Sequence, residues 1–325
     1  MKTIILRWAA LVLACNATAA LAQAPSGPFP NRPIRLVVGF VAGGVSDVMA
    51  RIIAPELQKA LGQPVTVDNK PGAAGIIGAD LVAKSLPDGY TLYVAPNTHL
   101  INQAMNPNVP FHSVKDFTAI TLLTTTPNML VVKSDAPWKD LAEFTAAAKA
   151  KPGEIAYATS GIGTTVHLAG ELYAHAAGIK LNHIPYKGAN QSAEAVVGGQ
   201  VPSSVSAVSS TLQFIKAGRV RVLGVMTEKR STLLPEVPTF AEQGYRNVLS
   251  DTWIGVIGPA GIPAPVAARL HEEMAKIIAR PDIREKILGI GNEPVGLGLA
   301  LFQAQMGKEL EIYTGLVKSA NIKPQ

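Results

Sequence analysis

The sequence predicts an α/β chain built as two lobes, each a mainly parallel sheet flanked by helices. Three observations carry that reading. Apolar runs of strand length alternate with helix-periodic stretches along the chain, the pattern of parallel strands joined by crossover helices. A strand that passes through a glycine turn into a helix occurs twice, far apart. A chain of 325 residues is also long enough for two cores, and two smaller sheets suit that length better than one ten-stranded sheet.

The elements follow in order. After a Pro-rich linker at 25–33 comes a continuous apolar strand at 34–40, then a helix at 46–61 ended by Gly62, with Pro55 expected to kink it. Further strands are predicted at 65–69, 91–95, 130–133, 155–159, 181–185, 205–208, 220–226 and 253–257, with helices between them. Thr239 with Glu242, closed by Gly244, reads as a capping box, and so does Asp282 with Glu285 just after Pro281. The expected division is residues 23–123 with 251–325 as the first lobe and 124–250 as the second.

Residues 1–22 are set apart. Lys2 and Arg7 precede the apolar stretch 8–14, and Ala20-Leu21-Ala22 precedes Gln23, the grammar of a secretory signal cleaved after Ala22. A membrane anchor fits less well, because the apolar core is short and Asn16 and Thr18 interrupt it. The sole cysteine, Cys15, lies inside this segment, so the mature chain is expected to be thiol-free. Lipidation of Cys15 is the competing reading, against which Leu13 is a poor match. Loss of Lys2 and Arg7 lowers the formal charge from +6 by two, to +4.

Composition excludes several classes. With 48% hydrophobic residues the chain is globular rather than disordered, and beyond residue 30 it has no apolar run of the ~18 residues that would span a bilayer. Its lysines and arginines are scattered singly, the densest group being Lys216, Arg219 and Arg221, so it lacks the basic stripe of a nucleic-acid binder.

The two glycine turns are the most informative feature. The first strand runs into Val41-Ala42-Gly43-Gly44-Val45-Ser46-Asp47, and a later one into Ser160-Gly161-Ile162-Gly163-Thr164-Thr165. Glycines let a ligand approach the backbone, the first amides of the helix point outward, and the helix dipole favours an anion there. Ser46, Ser160, Thr164 and Thr165 add hydroxyls. The blander reading makes both ordinary strand-to-helix turns capped by Ser46 or Asp47 and by Thr164 or Thr165. Neither turn completes GxGxxG and no P-loop lysine follows, so NAD and ATP are disfavoured and no cofactor is predicted.

Nine segments then carry a family resemblance. They include Pro33-Ile34-Arg35-Leu36-Val37-Val38, Phe40 with Ala42-Gly43-Gly44, Asp47, Ala50 and Arg51, Asn69-Lys70-Pro71-Gly72-Ala73 with Gly75, and Pro87-Asp88-Gly89-Tyr90-Thr91-Leu92. Later come Ser160-Gly161 with Gly163-Thr164, His167-Leu168-Ala169 and Glu171, then His183 with Pro185-Tyr186-Lys187-Gly188, Leu234-Pro235 with Val237-Pro238-Thr239, Trp253 with Gly255, and Pro259-Ala260-Gly261. The mature chain resembles the periplasmic receptors of the tripartite tricarboxylate transporter system, the Bug family. The resemblance implies a flytrap fold of the periplasmic-binding-protein type, closing on a small carboxylate held by amides, hydroxyls and waters. It implies a periplasmic, monomeric receptor with the permease subunits of a tripartite tricarboxylate-type transporter as partners. The expected ligand-binding residues are Phe40, Ala42, Gly43, Gly44, Ser46, Asp47, Asn97, Ser160, Gly161, Gly163, Thr164, Thr165, Tyr186, Ser206 and Ser209.

The chain departs from the family where Pro202 replaces an Asp and Val205 a Phe, and where Gly39 and Val41 alter the first turn, which points to a reshaped pocket. His167, Glu171 and His175 share one helix stripe and could bind zinc, though capping and solvation explain them more simply, and no metal is predicted. Asp47 and Arg51 read as an i,i+4 pair, with a ligand role for Asp47 as the alternative. A serine hydrolase needs Gly-x-Ser-x-Gly around Ser160, but Ala158 and Ile162 hold the glycine positions, so no enzyme is expected. A receptor that presents its ligand to a signalling protein is the remaining alternative.

Overall fold

The computed structural model describes residues 28–319. The predicted signal and Cys15 lie outside the described residues.

β1 (Ile34–Val38) leads through the first glycine turn into α1 (Val45–Leu61), then β2 (Val65–Asn69), α2 (Ile76–Ala83), β3 (Thr91–Pro96) and α3 (Thr98–Met105). β4 (Phe117–Lys133) is followed by α4 (Leu141–Ala150), β5 (Ala156–Thr159), α5 (Thr165–Ala177), β6 (Asn182–Pro185), α6 (Ala189–Val197), β7 (Ser203–Ala207), α7 (Val208–Lys216) and β8 (Val220–Val225). The chain ends with β9 (Asp251–Pro259), α8 (Ala264–Ala279), α9 (Pro281–Gly289), β10 (Glu293–Gly298) and α10 (Leu299–Ser319).

The strands lie in the order β2, β1, β3, β9, β4, β7, β5, β6, with β10 and β8 also bonded to β4. β4 joins the two halves of this sheet. Its residues 117–127 pair with β9, and its residues 128–132 pair with β7, while β8 bonds residues 129–133. The chain therefore passes from one half to the other within β4 and returns ahead of β9.

The outer strands are parallel as expected, β1 with β2 and β3, and β5 with β6 and β7. Every pairing made by β4 or β9 is antiparallel, so each half is mixed rather than mainly parallel. The cause is the crossing itself: β4 carries the chain out and β9 carries it back, and strands running opposite ways through one sheet must pair antiparallel.

Two elements differ from the sequence reading for identifiable reasons. β4 is 17 residues long, not four, and it is buried on both faces, so its Thr-rich first part shows no alternation to mark it. β10, EPVGLG, was not predicted, because proline and two glycines disguise a strand that pairs with β4 through a register shift between Pro294 and Leu297.

α1 lays Met49, Ala50, Ile53, Ala54, Leu57 and Leu61 onto the core at helical spacing, continues through Pro55, and ends on Gly62 in the left-handed conformation (φ 68°). Separate clusters cover the sheet. Leu36, Val38, Ile53 and Leu270 form one in the first half, and Leu130, Phe144, Tyr157 and Phe240 form another in the second. The Thr239–Glu242 box forms in both directions, at 2.7 and 3.0 Å, but it closes a turn rather than a helix. Asp282 instead chelates Arg280, and α9 begins at Pro281.

Candidate functional site

Five helix N-termini meet at one cavity of about 200 Å³. α1 contributes Val45, α3 contributes Thr98, α5 contributes Thr165 and Val166, α6 contributes Ala189 and Ser192, and α7 contributes Ser209 and Ser210. Ser160 and Thr164 of the second glycine turn, Val205, Ser206 and Ala207 from the end of β7, and Thr252 of β9 complete the wall. Four of these helices, α1, α3, α6 and α7, have no side-chain cap, being preceded by Gly44, Asn97, Gly188 and Ala207. Their first amides have no partner inside the helix, and their dipoles point positive ends inward. No ionisable side chain is among the described lining residues. The positive ends of helix dipoles are thus gathered at the cavity without a charged side chain on its described wall.

The hydroxyls divide into engaged and available. Thr164 Oγ1 donates to the carbonyl of Gly161 at 2.8 Å, Thr165 Oγ1 to Asn97 Oδ1 at 3.0 Å, Ser210 Oγ to the carbonyl of Ala207 at 2.9 Å, and Thr252 Oγ1 to Asn128 Oδ1 at 3.2 Å. Ser206 Oγ accepts from Thr211 at 3.0 Å and keeps its own hydrogen. Ser192 is buried at 1% exposure and its Oγ has no partner among the described residues.

Of the predicted residues, Ser160, Thr164, Thr165, Ser206 and Ser209 line the cavity. Gly161 (φ 134°) and Gly163 (φ 70°) shape the second turn behind them. Gly43 lines an adjoining cavity that shares Val45, Ala189, Ser209 and Ser210 with the first. Phe40 packs on the core beside α1, Tyr186 packs near Ala158 and Val201, and Ala42 is exposed. Ser46 is buried under the turn, and Gly44 is the residue before α1.

Asp47 is a brace. Its Oδ2 accepts from the Gly43 amide and from Arg51 Nε, both at 2.9 Å, and its Oδ1 accepts from Asn69 Nδ2 at 3.0 Å. The Arg51 hydrogen bond, with those from Gly43 and Asn69, overcomes burial and holds its carboxyl at about 2. Asn97 is likewise occupied: it donates to the Asp251 carbonyl at 2.9 Å while accepting from Thr165, which ties α3 of the first half to α5 of the second.

Beneath the second turn, His167 Nδ1 accepts the Gly163 amide at 3.1 Å, and its ring stacks on His183 at 3.9 Å. Burial, reinforced by His183, pushes His167 down to about 3, and burial takes His183 to about 4. The zinc stripe does not assemble, since Glu171 accepts from Tyr157 at 2.6 Å and His175 is exposed. Among the described residues no His, Cys, Asp and Glu group is arranged to hold a metal.

Thr98, Val45, Ala189, Ser192, Ser210 and Thr252 also line the cavity without being among the expected ligand-binding residues, although Val45 lies in the first glycine turn. The repeated signal that could have found three of them is positional, since each is at or near the first residue of a helix that follows a strand.

The family profile for the tripartite tricarboxylate transporter family receptor matches residues 49–305. This chain belongs to that family. The receptor is 41% identical over 269 residues to a Pseudomonas sp. strain P51 protein from the tcbD–tcbE intergenic region, covering 82% of this chain and 80% of that one. It is 33% identical over 310 residues to BugT of Bordetella pertussis, covering 94% and 95%. Among solved structures, an R. palustris protein with adipate superposes with a TM-score of 0.78 at 30% identity, covering 92% of the receptor and all of that chain. MatC of Rhodopseudomonas palustris with bound malate gives 0.73 at 28%, covering 89% and 100%. Receptors of this family are periplasmic solute-binding proteins rather than enzymes. No helix among the receptor's described residues is long and apolar enough to cross a membrane.

Proposed function

We propose that this receptor binds a small organic acid in the cavity and presents it to the permease subunits of a tripartite tricarboxylate-type transporter. The observation that carries the reading is the meeting of five helix N-termini at a cavity wall without an ionisable side chain. Amides and hydroxyls arranged this way stabilise a carboxylate without a counter-charge. The binding of adipate and malate by two structural relatives supports the same class of ligand.

The protein works as a monomer in the periplasm, after removal of residues 1–22. The closing bodies are residues 23–123 with 251–325, and 124–250, with β4 and β9 as the connections. Contacts made to both bodies only in the closed state drive closure. A hydrolytic role finds no support around Ser160, where no histidine bonds the hydroxyl: His167 holds Gly163 and His183 Nε2 bonds Thr159 Oγ1 at 2.6 Å.

A thermal-shift screen of aliphatic, hydroxylated and aromatic acids tests the reading, because a ligand that binds only the native state raises the melting temperature by mass action. A shift with small acids is expected. No shift with any acid, together with turnover of an ester, removes it.

A further inference from the structure

Ser192 stands at the fourth position of α6, 1% exposed, on the cavity wall. A serine inside a helix ordinarily turns its hydroxyl back to the carbonyl four residues earlier. Here the Gly188 carbonyl accepts the Ser192 amide at 3.2 Å, and the Ser192 hydroxyl bonds nothing among the described residues. A buried hydroxyl left without a partner destabilises the fold relative to a small apolar residue of the same shape. At the cavity wall, a molecule bound in the cavity can supply the missing bond.

The surroundings say what that bond is. α6 follows Gly188 with no side-chain cap, so its first amides lack a partner in the helix, and its first residue, Ala189, lines the same cavity as Ser192. Ser206 and Ser209 lie on the same wall, the first with a hydrogen still to donate. The amides only donate, the hydroxyls have a hydrogen to donate as well as lone pairs, and none of these groups is charged. The partner that suits them is an oxygen acceptor.

β7, β5 and β6 are adjacent in the sheet, so α7, α5 and α6, which follow them, begin side by side. The α5 turn, with Ser160, offers one group of donors, and the α6 and α7 ends offer another. One carboxylate accounts for the first. We propose that Ser192 is a specificity-determining residue that donates to a second oxygen function of the bound acid, whether a carboxylate, hydroxyl or keto oxygen. The proposal rests on the carboxylate reading above and extends it to the class of acid selected.

Isothermal calorimetry on the mature receptor and on Ser192→Ala tests it, with succinate, malate and adipate set against butyrate and hexanoate. The wild type should prefer an acid with a second oxygen function over its matched monocarboxylate. In Ser192→Ala that preferred acid should weaken by about tenfold or more, while the monocarboxylate is unchanged. The ligand-free variant should melt at or above the wild-type temperature, because an unpartnered hydroxyl has gone. Equal affinity of variant and wild type for every acid overturns the role of Ser192 and leaves the carboxylate reading standing. A ligand-free variant that loses stability marks the hydroxyl as structural and also overturns it. A wild type that binds no acid removes both.

Discussion

His167 Nδ1 accepts the amide of Gly163 at 3.1 Å, so the second glycine turn rests on a neutral imidazole. Protonation would replace that acceptor with a donor. Burial prevents it, holding His167 near 3, and His183 and His99 near 4, against an ordinary value of 6.5.

The sign of the pH dependence follows from those three groups. Their folded pKa values are depressed, so below pH 6.5 the unfolded chain binds protons that the folded chain does not, and stability is lost as the pH falls toward 4. Asp251, pushed up to about 7 by burial, and Glu309, also raised by burial, act in the opposite sense. Three imidazoles outnumber two carboxylates, so urea midpoints should fall between pH 6.5 and 5. In His167→Gln the slope of stability against pH should shrink by up to about 1.4 kcal/mol per pH unit. An unchanged slope would show that His167 is already protonated in the folded protein.

Asp47 and Arg51 should differ sharply on truncation although they form one ion pair. Asp47 is 2% exposed and accepts three hydrogen bonds, so Asp47→Ala leaves the Gly43 amide and Asn69 without their acceptor and should cost about 2–3 kcal/mol. Arg51 is 54% exposed, and Arg51→Ala should cost under about 1 kcal/mol. Chemical denaturation of both variants checks the contrast, and similar losses would place the stabilisation in the ion pair rather than in the brace.

The cavity wall carries donors and no carboxylate, and the nearby Asp47 has both oxygens engaged. An α-ammonium bound there would be desolvated with only neutral hydroxyl oxygens to accept from it and no counter-charge on the wall. Succinate should therefore bind at least tenfold more tightly than aspartate in calorimetry. Comparable affinities would mean that an acceptor for the ammonium exists on the ligand-bound surface.

Gly43 (φ 84°) has open space where a Cβ would lie, whereas Gly163 (φ 70°) would place one 3.3 Å from Met105 Cε. Both substitutions to Ala force a side-chain residue into the left-handed region, at roughly 1–2 kcal/mol. Gly163→Ala should in addition push the second turn away from α3 and reduce ligand affinity more than Gly43→Ala does. Thermal melts and calorimetry on the pair separate strain from contact.

The glycine turns were legible because their signal is local. A strand, bare glycines and a capping hydroxyl specify a junction within about eight residues, and Thr164 caps α5 as that pattern requires. The sequence also pointed to the serines in and after β7, of which Ser206 and Ser209 line the cavity. Ser192 was not legible, since one serine in a helix carries no sign of its surroundings. For Asp47 the spacing shows the pair with Arg51 but not the bond from Asn69, which arrives from β2.

The amino-acid sequence by itself determined the strand-to-helix junctions, the conformations reserved for glycine and the family, because each is encoded in short contiguous stretches. Tertiary structure decided which junctions share a cavity and which polar groups there are already engaged. Thr165 bonds Asn97 across 68 positions and Asn97 bonds Asp251 across 154, and such pairings arise only when β4 and β9 bring the two halves together.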